Sequence, residues 1–99
     1  MLFRSLLIGG GGREHAMAWK MSQSSLLDDL YVSPGNPGTA KHGRNVKVDL
    51  NDQKALRHFL LEKKITMLVV GPETPLVDGL HDRIAADPKL KGVTVIGPM

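Results

Sequence analysis

The chain has 99 residues, 41% hydrophobic and 23% charged, the composition of one globular domain rather than a disordered or fibrous segment. Its net charge of +3 is spread evenly, with six basic and four acidic side chains in residues 1–50 and seven and six in residues 51–99. With four aromatic residues and no basic stripe, nucleic acid is not an expected partner. The absence of cysteine excludes a disulfide framework and a thiolate metal site, and it fits a reducing compartment. Neither a membrane-length apolar run nor a signal-peptide cleavage pattern is present, so the cytoplasm is the expected location and no membrane partner is expected.

The first apolar run, Ser5-Leu6-Leu7-Ile8, predicts a strand and leads into four consecutive glycines, Gly9 to Gly12. Residues 13–22 are rich in helix formers, with Met17 and Met21 four apart. Leu30-Tyr31-Val32 predicts a second strand, followed by the turn Pro34-Gly35-Asn36. Residues 45–49 alternate in polarity and read as a weaker or edge strand. Asn51 can cap a helix over 52–64, in which Leu56, Phe59 and Leu60 form an apolar stripe. Met67-Leu68-Val69-Val70 predicts another buried strand, which ends at Gly71-Pro72-Glu73. Thr74 and Pro75 carry a cap-and-first-turn signature, and Leu76, Leu80 and Ile84 continue at four-residue spacing. Val93 to Ile96 predicts a last strand before Gly97-Pro98. Such alternation predicts a Rossmann-like open parallel sheet with helices on both faces.

Strand after strand ends in a glycine turn, and in a parallel sheet these carboxyl ends share one rim, where open α/β sheets bind their ligands. A glycine turn entering a helix exposes backbone N–H groups beside the positive end of the helix dipole, which suits an anion or a sugar edge. Two nucleotide motifs fail at this loop. The dinucleotide pattern starting at Gly9 needs glycine where Glu14 stands, and the ATP-binding P-loop needs a Gly-Lys-Ser/Thr ending that is absent. Glycines can also serve only to pack helix on strand. Arg13 opposes the dipole at a helix start, a placement that makes sense beside an anion, whereas Glu14 suits the first turn on dipole grounds alone. His15 is expected to pack or cap. His42, His58 and His81 follow no metal-ligand spacing, so no metal site is expected. Glu73 sits on the rim and has two readings: a carboxylate aiding the next helix, or an acceptor for sugar hydroxyls or an amine. No nucleophile–base pair can be assembled, which points to binding rather than complete chemistry.

The stretches LLIGGGGREHAMAWK, YVSPGNPGTA and VVGPETPLVDG, in this order, resemble the opening of the phosphoribosylamine–glycine ligase (glycinamide ribonucleotide synthetase) family along essentially the whole chain. Gly10 is a departure, since asparagine usually stands there. The resemblance implies an ATP-dependent ligase of purine biosynthesis. Glycine is activated as an acyl phosphate, and the amine of 5-phosphoribosylamine displaces the phosphate. It further implies that residues 1–99 are a pre-ATP-grasp, substrate-binding N-terminal domain, with the ATP-grasp and C-terminal domains outside this chain as its partners. ATP and magnesium or manganese would bind in the ATP-grasp core, so no cofactor or metal is expected here and the chain alone is expected to be inactive. By position, Gly11, Gly12, Arg13 and Glu14 would line the phosphoribosyl site, and Pro34, Gly35, Asn36, Gly71, Pro72 and Glu73 would complete its rim. Two other classes stay open: a stand-alone Rossmann-like module for a nucleotide or other phosphorylated ligand, and a docking domain whose glycines only pack.

Overall fold

The computed structural model describes residues 3–48, 52–71 and 80–96. Five strands, β1 (Phe3–Gly9), β2 (Leu27–Pro34), β3 (Arg44–Asn45), β4 (Met67–Val70) and β5 (Thr94–Ile96), form one sheet in the order β3-β2-β1-β4-β5. Every pairing is parallel. The connecting helices are α1 (Gly12–Ser22), α2 (Gln53–Glu62) and α3 (Leu80–Ala86), with short 3₁₀ turns at Thr39–Lys41 and Pro88–Leu90.

Alternation along the strands divides the core into two layers, as the pleat requires. Leu6, Ile8, Tyr31, Leu68 and Val70 point to one face, where Leu56 and Leu60 of α2 and Leu80 and Ile84 of α3 bury them. Leu7, Leu30, Val32 and Val69 point to the other face, against Ala18 of α1 and the flanking Met17 and Met21. Helices therefore cover both faces. The stripe expected on α2 is real: Leu56 and Leu60 are buried, and Phe59 meets the Tyr31 ring edge-on at 5.3 Å.

Three expectations are corrected in detail. The helix expected over 52–64 is the shorter Gln53–Glu62, and Asp52 caps it by accepting a hydrogen bond from the Ala55 N–H at 3.1 Å. Asn51, the expected cap, lies outside the described residues. The edge strand is only Arg44–Asn45: the Val46 N–H still reaches the Val32 carbonyl of β2 at 2.8 Å, but the Val48 N–H meets the Ser33 side-chain hydroxyl at 2.9 Å instead of a backbone carbonyl, and Asp49 lies outside the described residues. Val93 precedes the last strand, its N–H closing a turn on the Leu90 carbonyl at 3.0 Å. The cap at Thr74-Pro75 and the turn at Gly97-Pro98 lie outside the described residues.

Candidate functional site

The strand order places a topological switch between β1 and β4: from β1 the chain steps outward through β2 and β3, then returns to β4 on the other side. Connections diverge at such a point and leave a crevice at the carboxyl ends of the strands. Here the crevice is bounded by the Gly9–Gly12 loop and by Gly71, whose N–H donates to the Ile8 carbonyl at 2.8 Å.

The four loop glycines are not equivalent. Gly9 has φ +145°, and a Cβ there would overlap the Glu14 side chain. At Gly10 a Cβ would lie 3.0 Å from the Gly35 carbonyl oxygen. A side chain there would therefore press on the turn that follows β2. Gly11 is the N-cap of α1, and having no side chain it leaves capping to Glu14, whose Oε2 accepts the Gly11 N–H at 3.2 Å. That is the reciprocal half of a capping box. Gly12 differs: neither its φ nor a neighbour requires glycine, because a Cβ there would meet nothing within 4 Å. The space beyond it is open.

Glu14 is 1% exposed. A Cβ on either Gly9 or Gly71 would overlap its side chain, so its carboxylate fills the base of the crevice between the ends of β1 and β4. The helix dipole accounts for its position in the first turn but not for its burial. Arg13, one residue earlier, is exposed at the amino end of α1.

Pro34, Gly35 and Asn36 form the second wall. Pro34 ends β2 after a cis Ser33–Pro34 peptide, and the Gly35 N–H donates to the Gly9 carbonyl at 3.0 Å, tying the two turns together. Gly35 has φ +75°, and a Cβ there would overlap the Asn45 carboxamide. Asn36 is engaged by the chain itself. Its Nδ2 donates to the carbonyls of Gly10 at 3.0 Å and Gly11 at 3.1 Å, and its Oδ1 accepts the Thr39 N–H at 2.9 Å. The structure thus brings together Gly11, Gly12, Glu14, Pro34, Gly35, Asn36 and Gly71. Pro72 and Glu73 lie outside the described residues.

Thr39 and Asn45 were not legible as part of this assembly. Thr39 is fully buried, its Oγ1 accepts the Asn36 N–H at 2.7 Å, and it donates to Asn45 Oδ1 at 2.7 Å. Asx and Thr residues after a turn do signal local side-chain hydrogen bonds, but not the strand edge they reach. His15 and His42, 27 positions apart in sequence, stack with centroids 5.4 Å apart, and a Cβ on Gly38 would overlap the His15 ring. The packing expected for His15 is what the structure shows. Among the described residues no three His, Cys, Asp or Glu side chains gather as a metal site, and no helix is long and apolar enough to cross a membrane. The loop lacks the lysine of an ATP-binding P-loop, and among the described residues no carboxylate cluster stands at the rim to hold a divalent cation.

A parallel sheet of order 3-2-1-4-5, with a glycine loop at its switch point opening a helix, defines the class: a Rossmann-like α/β domain. Residues 3–99 match the family described as "Phosphoribosylglycinamide synthetase, N domain", and the chain belongs to that family. It is 52% identical over 93 residues to the phosphoribosylamine–glycine ligase of Agrobacterium fabrum, covering 94% of this chain and 21% of the relative. It is 44% identical over 100 residues to the trifunctional purine biosynthetic protein adenosine-3 of Gallus gallus, covering 99% of this chain and 10% of that protein. The crystal structure of phosphoribosylamine–glycine ligase from Thermotoga maritima superposes with a TM-score of 0.58 at 27% identity, over 82% of this chain and 18% of that one. The chain therefore spans about a fifth of the length of the bacterial relative.

Proposed function

We propose that this chain is the substrate-binding N-terminal domain of an ATP-dependent, cytoplasmic ligase that joins glycine to 5-phosphoribosylamine, and that its glycine loop holds the phosphoribosyl part. The observation that carries this reading is the open ground at Gly12, at the amino end of α1 and at the mouth of the switch-point crevice. A glycine demanded by neither dihedral nor packing is accounted for by a ligand that must approach the backbone closely. The unsatisfied N–H groups of the first turn and the helix dipole favour phosphate or ribose oxygens there, and Arg13 adds a cation at the same helix end.

In this reading Glu14 and the Pro34–Asn36 turn shape the crevice, while Gly11, Gly12, Arg13, Gly71, Pro72 and Glu73 face the ligand. Glu73, though outside the described residues, would accept hydrogen bonds from ribose hydroxyls or the reacting amine. ATP and its magnesium or manganese belong to the ATP-grasp core, on the part of the ligase beyond this chain, where glycine is activated. What these residues contribute is orientation: holding the ribosylamine with its amine toward the activated glycine turns a three-component encounter into a positioned attack.

A thermal-shift series tests this. Ribose 5-phosphate is expected to raise the melting temperature in proportion to its occupancy, while ATP and dinucleotides leave it unchanged. Incubated with ATP, glycine and phosphoribosylamine, the 99-residue chain is expected to release no ADP. A dinucleotide preference, or turnover by the chain alone, would overturn the proposal.

A further inference from the structure

The carboxamide of Asn36 is a junction between the two turns that wall the crevice, engaged by the chain through both its oxygen and its nitrogen. Its orientation is fixed by its neighbours. The Thr39 N–H at 2.9 Å is a donor and must face Oδ1, while the Gly10 and Gly11 carbonyls at 3.0 and 3.1 Å are acceptors and must face Nδ2. Both N–H donors of the side chain are thereby occupied.

The consequence reaches the glycine loop through the planarity of the peptide bond, which sets each C=O opposite the N–H of the next residue. Holding the Gly10 carbonyl turns the Gly11 N–H the other way, onto Glu14 Oε2 at 3.2 Å. The Gly11 carbonyl is held twice, by Asn36 Nδ2 and by the His15 N–H at 3.2 Å. Its fixed plane points the Gly12 N–H out of the amino end of α1, at a residue where an added Cβ would also meet nothing within 4 Å. Four glycines in a row have no side chains with which to choose among backbone conformations, so the choice must be imposed from outside the loop.

We infer that Asn36 is a positioning residue: it sets the peptide planes of Gly10 and Gly11 so that the Gly12 N–H is presented to an anionic ligand, without touching that ligand itself. Thr39 and Asn45 hold Asn36 in place. Thr39 Oγ1 accepts the Asn36 N–H at 2.7 Å, and Asn45 Nδ2 donates to the Asn36 carbonyl at 2.8 Å. This inference rests on the glycine loop being the ligand site proposed above, and it gives Asn36 a role distinct from ligand contact.

The test uses the 99-residue chain, ribose 5-phosphate as probe, and the isosteric variant Asn36→Asp. The variant keeps the acceptor for Thr39 and turns an oxygen toward the two glycine carbonyls. In the variant, the backbone amide resonances of Gly11, Gly12 and Arg13 are expected to move while those of β1 and β4 stay, and ribose 5-phosphate affinity is expected to fall at least tenfold. In the unsubstituted chain, the Asn36 side-chain NH₂ protons are expected to be protected from solvent exchange and to show no nuclear Overhauser contact with ribose protons. Such a contact, rapid exchange of those protons, or unchanged affinity in the variant would overturn the inference. If the unsubstituted chain binds no ribose 5-phosphate, the ligand assignment fails. The positioning claim is then decided by the amide resonances of the variant, and unmoved resonances sink it. Should the variant not fold, the exchange and contact measurements on the unsubstituted chain decide the question.

Discussion

At the scale of single residues, two glycines of the same loop, Gly9 and Gly12, are expected to respond in opposite ways to the same substitution. Gly9→Ala places a Cβ on the buried Glu14 side chain from a backbone at φ +145°. Strain and overpacking of about 1–3 kcal/mol each are expected to destabilise the fold by more than about 2 kcal/mol, read in denaturant unfolding. Gly12→Ala meets open space and replaces the poorer helix former, so the melting temperature is expected to hold or rise while ribose 5-phosphate affinity falls about tenfold. Equal destabilisation by the two variants would contradict these distinct roles. Ser5 offers a separate test. It is fully buried in β1, and its hydroxyl has no hydrogen-bond partner. Removing an unsatisfied buried hydroxyl removes its desolvation cost, so Ser5→Ala is expected to stabilise by about 1 kcal/mol in the same unfolding measurement.

At the scale of elements, the end of α2 shows what the sequence could and could not reveal. The apolar stripe Leu56-Phe59-Leu60 follows directly from spacing, but the stop depends on Lys64, a residue with no reputation as a helix terminator. Lys64 takes φ +54°, its N–H bonds the Leu61 carbonyl at 3.3 Å, and the Ile65 N–H bonds the Leu60 carbonyl at 2.9 Å. This is a Schellman closure with lysine where glycine usually sits, and the buried Ile65 supplies its hydrophobic anchor. Burial of Ile65 forces the left-handed turn on an ill-suited residue, so the helix ends before the periodic pattern alone would suggest. Lys64→Gly is expected to relieve about 1 kcal/mol of left-handed strain and to raise the melting temperature by several degrees. An unchanged or lower value would mean that the lysine side chain contributes there in its own right. The strands were more legible than the helix ends. Runs such as Leu6-Leu7-Ile8 are apolar on both faces because both faces are covered, whereas Arg44–Asn45 is too short and too polar to stand out and is a strand only through its pairing with Tyr31 and Val32.

Across the whole molecule, an ion pair joins α2 to the turn after α3, and its pH response has a definite sign. Arg57 of α2 donates to Asp87 at 2.6 Å, and Asp87 also accepts the Lys89 N–H at 3.0 Å. The Arg57 hydrogen bond first, and the Lys89 bond second, hold the Asp87 carboxyl below the ordinary carboxylate range. A group whose pKa is lowered by folding binds its proton more readily in the unfolded chain. It therefore contributes stability at neutral pH that is lost as pH falls through its folded value. Relative to Asp87→Asn, the native chain is expected to be more stable at neutral pH, and the gap is expected to narrow below about pH 4. A gap independent of pH would show that the pair contributes through packing rather than charge. At this scale the rim was legible from the glycine turns that close the strands. The interior of the candidate site was not: the bonds from Asn36 to the Gly10 and Gly11 carbonyls and the packing of Glu14 against Gly71 depend on which strand ends become neighbours, and residues far apart in the chain carry no local trace of that.

Whether the switch-point glycine loop holds the phosphoribosyl part of the substrate, as proposed, is tested most directly by a titration of the ¹⁵N-labelled chain with ribose 5-phosphate. Saturable shifts are expected at the backbone amides of Gly11, Gly12, Arg13 and Gly71, with those of α2 and the far ends of the strands unmoved. Shifts confined to other surfaces, or a loop that responds to a dinucleotide and not to the sugar phosphate, would contradict it.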